Sequence, residues 1–109
     1  MRSGKQSRVV FVTCGSNAEA RLIANTVVQK GLAACVNIVP GSIESIYLWK
    51  GKVESAKEVL IVIKTMAKRL RKLEAEVHRL HSYEVPEFIV LAIVAGSSKY
   101  LRWMAESVE

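Results

Sequence analysis

Gly31-Leu-Ala-Ala-Cys-Val-Asn-Ile-Val-Pro-Gly-Ser-Ile-Glu-Ser-Ile-Tyr-Leu-Trp-Lys-Gly-Lys-Val-Glu54 is the stretch on which the fold turns. Its first part, Leu32 to Val39, is apolar and alternates. Leu32, Ala34, Val36 and Ile38 share one face, and Ala33, Cys35, Asn37 and Val39 the other, because successive strand side chains point in opposite directions. Pro40-Gly41 interrupts the run. Proline lacks an N–H and glycine admits positive φ, so the pair predicts a bend or bulge within one strand. The strand resumes at Ile43 and runs to Trp49, with Ile46 and Leu48 opposite Ser45, Tyr47 and Trp49. Lys50-Gly51 reads as a tight hairpin turn and Val53 opens the return strand. The outcome is one long, kinked ribbon that overhangs the body of a small domain. Its apolar, aromatic tip demands a partner, since an isolated hairpin is marginal in water.

Outward from the ribbon the chain divides cleanly. Arg8 to Thr13 is a compact apolar strand. Ser16-Asn-Ala-Glu19 is a capping-box pattern, in which the hydroxyl accepts from the Glu19 N–H and the carboxylate reaches back. Ala20, Ile23, Ala24, Val27 and Val28 follow at helical spacing, and Gly31 stands where a helix ends. After the hairpin, Val59 to Ile63 is apolar at every position, which marks a central strand. Met66, Leu70, Leu73, Val77 and Leu80 recur at intervals of four and three, the stripe of an amphipathic helix. The loop from His81 to Glu87 leads to a final core strand, Phe88 to Ala95. Gly96-Ser97-Ser98 then caps a short helix holding Tyr100, Leu101, Trp103 and Met104. The order is β-α-β-β-α-β plus a terminal helix. Right-handed crossovers make it an α+β, ferredoxin-like antiparallel sheet with two helices on one face.

At 109 residues, 50% hydrophobic and 24% charged, the chain has the size and balance of one globular domain. Residues 1–8 read as a disordered polar tail before a single domain, 9–109. No apolar run approaches the ~20 residues of a membrane helix, and none has the secretory pattern. Two cysteines do not make a disulfide framework, so Cys14 and Cys35 are expected to be free, in a reducing, cytoplasmic setting. The net charge of +6 resides in the tail and in one helix face, where Lys68, Arg69, Arg71, Lys72 and Arg79 outnumber Glu74 and Glu76. That is a solvated face without interleaved stacking aromatics, which argues against nucleic acid.

Cys14 lies where the first strand meets a helix N-terminus, a place that favours thiolate. A phosphatase-type loop needs Cys-x5-Arg, and Arg21 is one residue too far. No Gly-rich phosphate cradle is present. The plain alternative is a small buried hydrophobe, and the same holds for Cys35 among its alanines. His81 ends the second helix, where its dipole favours a cation. Thiols and an imidazole also suit copper or zinc. No carboxylate pair or Ser/His/Asp order supports an enzyme.

Several stretches carry a family resemblance. Ala33-Ala34-Cys35-Val36-Asn37, Pro40-Gly41, Ser45-Ile46-Tyr47, Trp49 to Glu54, Ile63-Lys64-Thr65, His81 to Glu87 and Tyr100-Leu-Arg-Trp103 together resemble the CutA family, small trimeric proteins named for divalent-cation tolerance. The resemblance implies a PII-like homotrimer, with Tyr47, Leu48 and Trp49 at the subunit interface. It implies metal ligands at Cys14, Cys35 and His81, with copper or another divalent ion as ligand and no obligatory cofactor. Some relatives have two adjacent histidines at the second helix end, whereas here the first of that pair is Leu80. Lys64, Tyr83, Glu87 and Trp103 are expected to line an intersubunit cleft for a small, anionic ligand. Two further roles follow from the same resemblance: a PII-like small-ligand sensor, and a scaffold that anchors a partner protein.

Overall fold

Three signals in the sequence fix the backbone locally. The computed structural model describes residues 1–109, the side chain of Ser42 excepted. Ser16 caps helix α1 (Asn17–Gln29), its hydroxyl accepting from the Glu19 N–H at 3.2 Å. The other half of the expected capping box stays open, because the Glu19 carboxylate turns away and accepts from the Ser82 N–H instead. At the far end Gly31 takes φ +70°, its N–H donating to the Val28 carbonyl while Leu32 N–H reaches Val27. This paired closure uses two of the carbonyls that a helix end leaves orphaned. Lys50 and Gly51 both adopt positive φ in the two-residue turn of the hairpin, the backbone hand that matches twisted strands.

The strands are β1 (Arg2–Ser3), β2 (Ser7–Cys14), β3 (Cys35–Trp49), β4 (Lys52–Met66), β5 (Ile89–Ala92) and β6 (Ala95–Gly96). The helices are α1, α2 (Leu70–Leu80) and α3 (Ser98–Ser107). Four strands form one antiparallel sheet in the order β3-β4-β2-β5, the ferredoxin-like arrangement. β4 lies inside it, as its uninterrupted apolarity required. Val59, Ile61 and Ile63 of β4 join Val10, Val12 and Cys14 of β2 under Ile23, Val27, Leu73 and Val77 of the helices. The register between β3 and β4 shifts between Val39 and Ile43, at the Pro40-Gly41 bend. Beyond it the ribbon projects, and the molecule is 44 Å long against 25 and 24 Å in the other directions.

Three expectations are corrected. The polar tail is not disordered: Arg2 and Ser3 pair with Gly96 and Ala95, Gly4 N–H donates to Val94, and Ser7 already belongs to β2. Unpaired backbone groups of the segment after β5 supply the partner that side-chain pattern does not reveal. The second helix starts later than its stripe, because Met66 still pairs with Ser7 and residues 67–69 form a 3-10 turn. The last strand, expected from Phe88 to Ala95 in the core, is shorter and lies at the sheet edge. Ile89, Val90 and Leu91 remain 49%, 41% and 40% exposed. Only β2 pairs with it, and the sheet face opposite α1 and α2 is covered at one end alone, where α3 packs Leu101 and Met104 near Met66 and Ile93.

The helix closure at Gly31 yields a test. In Gly31→Ala a Cβ would meet the Glu109 Cγ at 2.7 Å on a backbone with φ +70°. Glu109 is exposed and moves aside, so the left-handed conformation sets the cost, about 1–2 kcal/mol. Urea unfolding at fixed chain concentration is expected to show that loss, and Gly31→Asn is expected to lose less, since asparagine tolerates the left-handed region.

Candidate functional site

The C-terminal end of β2 carries Cys14 into the junction between α1 and the loop after α2. His81, the residue that ends α2, turns its ring inward there. Its Nε2 lies 2.7 Å from the Thr13 carbonyl, which can only accept, so this nitrogen carries the proton. Nδ1 is then the lone-pair nitrogen, and it accepts from the Tyr83 N–H at 3.1 Å. The Tyr83 ring lies 4.7 Å from the imidazole. One histidine thus ties the end of α2 and the following loop to the end of β2.

Glu19 completes the junction. One carboxylate oxygen accepts from the Ser82 N–H at 3.1 Å. The other, Oε2, is buried without a hydrogen-bond partner and lies 3.6 Å from His81 Nδ1. The Cys14 thiol, the Glu19 carboxylate and the His81 ring each place one donor atom within 4.8 Å of the others. Burial of Cys14, with Glu19 and Glu58 nearby, pushes its thiol up to about 12. The helix N-terminus therefore does not prevail here: desolvation and two carboxylates hold the thiol protonated. In the bare chain Cys14 behaves as the small buried hydrophobe of the plainer reading.

On the other side of Tyr83 the side chains form a cleft of about 630 Å³, lined by Thr13, Ser45, Ile46, Tyr47, Trp49, Glu58, Tyr83, Glu84, Val85 and Glu87. Tyr83 donates its hydroxyl to Glu58 at 2.8 Å. Burial and that bonded carboxylate push the Tyr83 phenol up, and burial together with Glu58 pushes Glu87 up. The Tyr47 and Trp49 rings line this same cleft, while Leu48 points away and is 70% exposed.

The sequence-derived residues therefore fall into two groups in one chain. Cys14, His81, Tyr83 and Glu87 meet at the end of β2. Cys35 and Lys64 lie side by side elsewhere, Lys64 Nζ 3.9 Å from Cys35 Sγ, paired across β3 and β4. Burial and the nearby Cys35 push the Tyr100 phenol of α3 up, and the Trp103 ring packs on Tyr100 at 5.4 Å. Lys64 is six residues along β4 from Glu58, or roughly 20 Å at strand rise. The three-ligand set Cys14, Cys35, His81 and the rim Lys64, Tyr83, Glu87, Trp103 are thus not assembled within a single chain. Cys14 and Cys35 are both free thiols. Glu19 and Glu58 were missed. Glu58 had a faint signal, a lone carboxylate at the mouth of the apolar run, whereas Glu19 looked fully explained as a capping residue.

The comparisons with known proteins agree with this architecture. A family model described as CutA1 divalent ion tolerance protein matches residues 8–107. The chloroplastic protein CutA of Arabidopsis thaliana is 50% identical over 101 residues, which cover 93% of this chain and 55% of that protein. The divalent-cation tolerance protein CutA of Thermus thermophilus is 46% identical over 99 residues, 91% of this chain and 95% of that one. The chain spans about half the length of the plant relative and nearly all of the Thermus one. Among solved structures, the divalent cation tolerance protein from Thermus thermophilus superposes with a TM-score of 0.92 at 43% identity, covering 94% of this chain and 99% of that one. CutA from Xylella fastidiosa gives 0.91 at 34%, with 95% and 99% covered. With most of its length matched by the family model and by relatives well above 30% identity, the chain belongs to the CutA1 divalent ion tolerance protein family.

Proposed function

We propose that this chain is a homotrimeric binder of a soft divalent cation, copper or zinc, held by Cys14, Glu19 and His81. The observation that carries the reading is the Glu19 Oε2 atom, buried and unpartnered between a thiol and an imidazole. A buried carboxylate oxygen with no donor is costly, and a cation would satisfy it. The donor set suits the proposed ions, since thiolate, imidazole and carboxylate together select zinc or copper over magnesium or calcium. The Glu19–His81 separation of 3.6 Å already suits neighbouring ligands of a tetrahedral ion, and the Cys14 sulfur lies within 4.8 Å of both donor atoms. His81 would give up its bond from the Tyr83 N–H to free Nδ1. Cys35, placed beside Lys64, has no part in this set within one chain.

A second reading rests on the adjoining cleft. Three carboxylates with Tyr47, Trp49 and Tyr83 make a cage suited to a small organic cation, contrary to the anion expected there, because Lys64 lies outside it. Association between chains is supported by the exposed apolar surface, Ile46, Leu48 and Val53 on the ribbon and Ile89 and Leu91 on the uncovered sheet face, and the number three follows from the family resemblance alone.

Calorimetric titration of the full chain with Cu(II) and Zn(II) tests the metal reading. Cys14→Ser and Glu19→Gln are each expected to weaken binding by at least about tenfold, the range seen when a supporting or direct ligand is lost. Unaltered affinity in both variants rejects the site. Binding has a definite pH slope. The ion must displace a proton from a thiol pushed up to about 12, so affinity is expected to climb about tenfold per pH unit from about pH 6 to about pH 8. In Cys14→Ser that slope should flatten. Light scattering at micromolar concentration is expected to give three times 12.1 kDa, and a monomer there removes the trimer from the proposal.

A further inference from the structure

A second cleft of about 650 Å³ opens between the end of α1, Arg69 of the 3-10 turn and the face of α2 that carries Lys72, Ala75, Glu76 and Arg79. Four basic residues line it, Lys30, Arg69, Lys72 and Arg79, against two acidic ones, Glu76 and Glu109. The two halves of this charge differ. Glu76 accepts two bonds from the Arg79 guanidinium at 2.8 and 2.9 Å and a third from Lys30, so that carboxylate is fully committed. Arg79 and then Lys30 hold it well below the carboxylate range, at about 2. Arg69 and Lys72 have no such partner. The Arg69 Nε is buried and makes no hydrogen bond among the described residues, and neither side chain is in an ion pair. Glu109 lines the cleft but enters no ion pair among the described residues either.

The surroundings do not relieve this cationic excess. α2 begins without a side-chain cap and with no acidic residue in its first turn, so the positive end of its dipole adds to Arg69 and Lys72. The cleft differs from the Cys14 junction in kind, because its free groups are guanidinium and ammonium donors.

We infer that this cleft binds a small soluble anion bearing two or more phosphate groups, with the unpaired Arg69 and Lys72 as its principal contacts. A guanidinium fork matches phosphate oxygens in pairs, and the ammonium adds a point charge beside it. The volume lies in the range of small-molecule sites. Single-stranded nucleic acid is disfavoured, since no aromatic side chain lines the cleft for a base to stack upon. The inference is independent of the metal reading: it concerns different residues and a ligand of opposite charge.

Calorimetric titration of the full chain with sodium pyrophosphate tests it. The parent is expected to give saturable binding at one site per chain. The double variant Arg69→Ala/Lys72→Ala is expected to bind at least about tenfold more weakly, as loss of a charge-assisted contact implies. Lys72→Glu alone, at an exposed position that leaves packing intact, is expected to weaken binding at least as much as loss of one contact. Lys50→Ala/Lys57→Ala, on the ribbon and outside the cleft, is expected to bind as the parent does, and all variants should keep the parent's response to Zn(II). Absence of saturable heat from the parent overturns the inference. So does an equal loss in the ribbon variant, which would mark diffuse surface charge, or full affinity in the Arg69/Lys72 variants.

Discussion

Everything in this structure is hung from the double pairing of β4. Its later half bonds to β2 from Val59 to Met66, while from Lys52 to Lys64 it runs beside β3. A strand paired on both edges has no backbone group left to satisfy, so its register is fixed from both sides. That register puts Cys14 opposite Val59 and Cys35 opposite Lys64. The separation of the two cysteines is thus a property of the sheet, and no side-chain rearrangement within one chain abolishes it.

His81 performs the matching task for the helical layer. Its ring bonds to the Thr13 carbonyl on one side and takes the Tyr83 N–H on the other, so strand, helix end and loop share one hinge point. The Glu19 carboxylate, drawn to Ser82, leaves its second oxygen facing that ring. The acidic and aromatic cleft beyond Tyr83 and the junction of Cys14, Glu19 and His81 behind it are two sides of one arrangement, joined through Glu58 and Tyr83.

The architecture was legible in the sequence because it is written in periods and breakers. Alternation around Cys35, the stripe from Leu70 to Leu80, Gly31 and Lys50-Gly51 each have one local solution. What escaped depends on distance in space. The run Phe88 to Ala95 reads as core because its apolarity is continuous, yet Ile89, Val90 and Leu91 stay exposed on a strand that pairs with β2 at the sheet edge. Likewise Glu19 satisfies a capping pattern, and only the fold reveals that its carboxylate is aimed at His81. The candidate ligands were recognisable as types. Their grouping was not, since a cysteine's residue number says nothing of which rim of the sheet it reaches.

The Pro40-Gly41 irregularity has a consequence for how this chain can change length. Between the pairs Val39 with Leu60 and Ile43 with Glu58, β3 advances four positions while β4 advances two. The surplus is even, so the inside-outside phase of the strand survives the kink. Tyr47 and Trp49 thereby stay in phase with Asn37 and Val39, on the side from which they line the cleft with Glu58 and Thr13. A one-residue change of length here is taken up by the bulge, because β4 runs straight through and the Lys50-Gly51 turn holds Tyr47 opposite Glu54 and Trp49 opposite Lys52. Length variation at this joint is therefore buffered: the irregularity absorbs it while the outer ribbon keeps the face on which Tyr47 and Trp49 lie.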